Sequence, residues 1–65
     1  MIKVNGDNLD WTPGMTVRGV LQAKNYTFPL LIVTIDGQRV ERPAFGSTTV
    51  PDGAVVQVIH LLSGG

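Results

Sequence analysis

The sequence predicts an α+β roll, one mixed β-sheet with a single helix packed across one face. Three observations lead there: five short stretches of strand character, one apolar stripe of helical period at 17–21, and two Asx-Gly dipeptides, Asn5-Gly6 and Asp36-Gly37, suited to two-residue hairpin turns.

The elements follow in order. Ile2-Lys3-Val4 alternates apolar and polar, and Asn5-Gly6 supplies two residues that tolerate positive φ. Leu9-Asp10-Trp11 alternates again, so the first dozen residues predict a hairpin that Pro13-Gly14 then breaks. Thr16 suits a helix N-cap, because its hydroxyl can accept an orphan backbone N–H. Val17, Val20 and Leu21 share one helical face, with Arg18 and Gln22 opposite. Gly19 weakens this helix by about 1 kcal/mol relative to Ala, so it needs a sheet to dock on. Asn25 suits the left-handed residue that ends it.

Residues 30–35 are apolar and β-branched and stop at Asp36-Gly37, with a brief returning strand at 39–40. From 43 to 53 the chain is mostly turn chemistry, with Phe45 and Val50 as plugs beneath a loop. A last strand is expected over 55–61. Trp11, Tyr26 and Phe28 are read as core or loop packing.

Composition narrows the function. A chain of 65 residues is one domain, 1–65, and no cysteine is present to staple it. Apolar residues, at 43%, must carry the fold alone. Five basic and five acidic residues cancel and are scattered, so no nucleic-acid or anionic-membrane partner is expected. No apolar run could span a bilayer and no secretory leader opens the sequence, which leaves a cytoplasmic protein as the expectation. His60 is the one histidine and lacks nearby carboxylates, so it is read as a strand residue, not a metal ligand. Ser47 and Ser63 lack the G-x-S-x-G setting of a hydrolase.

The sequence closes on Leu62-Ser63-Gly64-Gly65, directly after the last strand. Two adjacent terminal glycines arise by chance in roughly 1–2% of chains of this composition. No turn follows that would need them, whereas a tail without side chains can thread a narrow channel. The expected tail is flexible and spans 62–65, and its carboxylate is the candidate reactive group. Near neutral pH a terminal carboxyl, with a reference pKa of about 3.5, is an anion and a poor electrophile. It must be activated, for example as an acyl-adenylate. The sequence has neither a G-x-x-x-x-G-K-[ST] nor a G-x-G-x-x-G motif, so a separate protein must hold the ATP.

These motifs, in this order, resemble the ThiS/MoaD family of ubiquitin-like, β-grasp sulfur carriers. The resemblance rests on Ile2-Lys3-Val4-Asn5-Gly6, on Met15-Thr16-Val17 with Val20-Leu21, and on Ile35-Asp36-Gly37-Gln38-Arg39-Val40-Glu41-Arg42 with Phe45 after it. Asp52-Gly53, Val56, Val58 and Gly64-Gly65 complete it. It implies a β-grasp roll and a carrier that is not itself an enzyme. A ThiF- or MoeB-like enzyme would adenylate Gly65, and a sulfur donor would make the thiocarboxylate. The sulfur would then pass to thiazole synthase or, on the MoaD branch, to the large subunit of molybdopterin synthase. Length favours the ThiS type, while the Leu-Ser-Gly-Gly ending is closer to MoaD. Ala54 and Gln57 stand where the family usually has acids, which removes negative charge beside the tail.

Alternation along the last strand puts Val56 and Val58 toward the helix, and Val55, Gln57, Ile59 and Leu61 on the open face. Gln57, Ile59, Leu61, Leu62 and Ser63 are therefore the expected partner-binding residues, with Gly64 and Gly65 as the reactive end. No cofactor is expected on the chain itself; ATP and a sulfur donor act through the partner. Arg42 is read equally as a loop anchor or a partner contact. Two rival readings stay open: a ubiquitin-like modifier joined through Gly65 to lysines, and a binding module with an inert tail.

Overall fold

The computed structural model describes residues 1–26 and 31–61. Its elements run β1 (Ile2–Val4), β2 (Asp7–Leu9), α1 (Val17–Ala23), β3 (Leu31–Ile35), β4 (Gln38–Val40), a 3-10 turn (Arg42–Ala44) and β5 (Val55–His60). The strands form one mixed sheet in the order β2-β1-β5-β3-β4. Among the described strands only the β1–β5 pairing, at the centre, is parallel. This is the β-grasp roll that the sequence predicts.

Both Asx-Gly turns form as expected, with φ of 52° and 86° at Asn5-Gly6 and 49° and 86° at Asp36-Gly37. The first turn also corrects the expected second strand. A two-residue loop pairs Val4 with Asp7, so β2 occupies 7–9, and not Leu9-Asp10-Trp11. Trp11 instead lies beyond the strand, where its indole N–H donates to the Val50 carbonyl at 2.6 Å.

Thr16 caps α1, its Oγ1 accepting the Gly19 N–H at 3.2 Å. The first two helical N–H groups find loop carbonyls: Val17 donates to Thr48 and Arg18 to Phe45. Three orphan donors are thereby satisfied, and the 44–50 loop is fastened to the helix start. The far end closes as a Schellman motif. Asn25, at φ 61°, donates to Gln22, and Tyr26 donates to Leu21.

The core lies between α1 and one sheet face, and includes Ile2, Val4, Val17, Val20, Val33 and Val56, with Phe45 and Val50 plugging it from the loop. The 3-10 turn at 42–44 is not expected from the sequence; Pro43 sits in its first turn, where a missing N–H costs nothing.

Candidate functional site

The strand that leads into the expected tail is the central one. β5 pairs antiparallel with β3 from Ile35↔Val56 to Leu31↔His60, and parallel with β1 through Lys3↔Val55 and Val4↔Val56. Its side chains alternate as predicted. Val56 and Val58 are buried against the helix side, while Val55, Gln57, Ile59 and Leu61 are exposed. Ile59 and Leu61 remain 50% and 42% accessible, and Ile59 lies directly across from the half-buried Ile32. Ile59 thus exposes an aliphatic side chain on the open sheet face near the end of β5, and Leu61 exposes another just past the strand.

Leu62, Ser63, Gly64 and Gly65 lie outside the described residues, as do Phe28 and Leu30. Gln57, Ile59 and Leu61 are the expected partner-binding residues whose placement is seen. Gln57 and Ile59 share the open face of β5, and Leu61, also exposed, directly follows the strand.

The placement of Ala54 is a correction. The sequence suggests that it bears on the charge beside the tail, yet it is 3% exposed, belongs to the core, and precedes the opposite end of β5. Its parity is that of Val56, so a side chain there faces the interior. Of the two acid-replacing positions, Gln57 alone lies on the open face.

A groove of about 630 Å³ lies between the β3–β4 hairpin and the 44–51 loop, with Ile35, Val40, Ala44 and Thr48 in its walls. It adjoins the beginning of β5, the end of the strand opposite to His60. Among the described residues no cluster of His, Asp and Glu has the arrangement of a metal site. No helix among them is long and apolar enough to cross a membrane.

Sequence reasoning missed Asn5 as anything beyond a turn residue. Its side-chain Oδ1 accepts the Val58 N–H at 2.8 Å and its Nδ2 donates to the Val58 carbonyl at 3.1 Å. The signal was present, since Asn, unlike Gly or Asp, carries both a donor and an acceptor at a φ > 0 position.

The family model for ThiS matches residues 2–65. The crystal structure of a thiamine biosynthesis protein (ThiS) from Geobacter metallireducens is 31% identical, with a TM-score of 0.79 over 98% of this chain and 97% of that one. A solution structure of a thiamine biosynthesis protein from the same organism has a TM-score of 0.73 at 31% identity, over 98% of this chain and 86% of that one. A search among curated protein sequences finds no match. With a family match along nearly its whole length and a shared β-grasp sheet, the chain belongs to the ThiS family.

Proposed function

We propose that this protein is a sulfur carrier of thiamine biosynthesis that works through the carboxylate of Gly65. The observation that carries the reading is the family match that runs through Gly64 and Gly65, together with structural likeness to two thiamine biosynthesis structures.

The chemistry follows from the electrophile. The Gly65 carboxylate attacks the α-phosphorus of ATP held by a ThiF-type partner, forming the acyl-adenylate and releasing pyrophosphate. A sulfur nucleophile from a donor adds to the activated carbonyl and AMP leaves. With a persulfide donor the product is an acyl disulfide; attack of a second thiol on the donor sulfur then forms a disulfide with the donor and releases the thiocarboxylate. That sulfur is then passed to the enzyme that builds the thiazole ring. The chain supplies a docking face and a slender end, and contributes no catalytic side chain.

Gln57, Ile59 and Leu61 supply the described part of the docking surface, and Leu62 and Ser63, next in sequence, are assigned to the same partner contact. Burial of Ile59 and Leu61 against an apolar partner surface supplies affinity, while Gln57 leaves the contact uncharged at its place. The likeness to thiamine proteins favours the thiazole branch over molybdopterin formation.

The test is intact-mass analysis after incubation with ATP, a sulfur source and the adenylating enzyme encoded beside the chain. Replacement of one oxygen by sulfur, absent when Gly65 is deleted, is the expected result. A ladder of lysine-linked conjugates in place of the thiocarboxylate would instead identify a protein modifier.

A further inference from the structure

β5 is held unequally along its length. Its antiparallel ladder with β3 runs to the Leu31↔His60 pair, but its ladder with β1 ends at Val4↔Val56, because β1 turns away at Asn5-Gly6. The Val58 N–H and C=O point to the side that β1 has vacated. The Asn5 side chain takes up both. Its amide has the donor and acceptor of a peptide group, so it stands in for the next peptide of β1 and lengthens the parallel ladder by one step. Only one orientation of the amide fits, with oxygen toward N–H and nitrogen toward C=O.

The mount is stiff. The Asn5 N–H donates to the Val56 carbonyl at 3.0 Å, and its φ of 52° is fixed by the tight turn. The second Nδ2 proton lies on the side of the Tyr26 hydroxyl, which is 3.4 Å from Nδ2 and just past the helix terminator. A small cavity of about 100 Å³ marks this joint, bounded by Asn5, Tyr26, Leu31, Val58 and His60. Four parts of the fold thus meet where the chain is about to leave the sheet.

We propose that Asn5 is a positioning residue for the carrier chemistry: by tying Val58 to the first turn it fixes the point and direction in which the chain departs toward its terminal carboxylate. The proposal rests on the carrier reading above. A strand end bonded on one side only opens readily, and terminal segments open at the lowest free energy. The amide closes the vacated side three residues before Leu61, so the end of β5 keeps a fixed place relative to the first turn.

Asp36 supplies a matched control. It too occupies the first position of an Asx-Gly turn at positive φ, and its Oδ1 accepts the Val55 N–H at 2.9 Å, at the other end of the same strand. Asn5→Gly and Asp36→Gly each keep a φ > 0 turn and remove one side-chain tether. Both variants are compared where circular dichroism shows them fully folded, by amide hydrogen exchange and by kinetics of charging with the ThiF-type enzyme. Asn5→Gly is expected to speed exchange at Ile59 about tenfold and to lower kcat/KM for the carrier by a similar factor, as loss of two hydrogen bonds allows. Asp36→Gly is expected to change both by less than about twofold, because its tether holds the first residue of β5 and not the last rungs of its ladder. Equal effects of the two variants on Ile59 exchange and on kcat/KM would reduce Asn5 to a structural role and overturn the proposal. Failure of the wild-type chain to accept charge would instead sink the carrier function, and with it a positioning role for Asn5, while the exchange comparison would still report whether the tether exists.

Discussion

Asp36 and Val55 are joined twice: the Asp36 N–H donates to the Val55 carbonyl at 2.8 Å, and the Val55 N–H donates to Asp36 Oδ1 at 2.9 Å. One residue therefore makes the β3–β4 turn and fastens the start of β5. Asp36→Asn keeps an acceptor in place and is expected to cost less than about 0.5 kcal/mol. Asp36→Gly keeps the turn but loses the bond, and is expected to cost about 1 kcal/mol, read from urea denaturation midpoints.

The helix start offers a pair of opposite effects. Thr16→Ala removes the acceptor for the Gly19 N–H and is expected to lower stability by about 1 kcal/mol. Gly19→Ala is expected to raise it by about 0.5–1 kcal/mol. A Cβ there would meet nothing closer than Thr16 Oγ1 at 3.6 Å, an ordinary contact. Thermal denaturation of the two single variants checks both signs.

The two faces of β5 are distinguished by neighbouring valines. Val56 is fully buried at the centre of the sheet and Val55 lies on the open side. Val56→Ala is expected to cost about 2–3 kcal/mol and Val55→Ala about 0.5 kcal/mol or less, measured by chemical denaturation. Similar losses at both positions would contradict the register.

Docking predicts a separation of folding from function. Ile59→Asp places a charge on the exposed face and is expected to change stability by about 0.5 kcal/mol or less. If this face meets the adenylating enzyme, the same change raises the KM for the carrier about tenfold or more. A variant that charges with unaltered kinetics would remove the open face from the contact.

The turns and the face parity are legible because each depends on local rules. Asn5-Gly6 and Asp36-Gly37 declare their conformation within two residues, and alternation alone sorts Val56 and Val58 from Gln57 and Ile59. The position of β2 is misleading in sequence because the spacing of Leu9 and Trp11 suggests alternation, whereas the tight turn dictates pairing from Asp7 onward. The second task of each Asx residue cannot be read locally. Asn5 and Val58 are 53 positions apart, and Asp36 and Val55 are 19 apart. Ala54 misleads for a related reason: its motif neighbours are acids and turns in sequence, but its position one residue ahead of β5 sends it inward.

Among the described strands, the β1–β2 and β3–β4 hairpins share no edge, and β5 joins them. On the ribosome, the two halves of the sheet have no strand in common until residues 55–60 emerge, so the native sheet order forms only after β5 has been made and released from the exit tunnel. Contacts so distant along the chain slow folding relative to a helical bundle of equal size. They also provide a safeguard, because a prematurely terminated chain lacks the strand that would assemble a docking face, and so cannot compete with intact carrier for the activating enzyme.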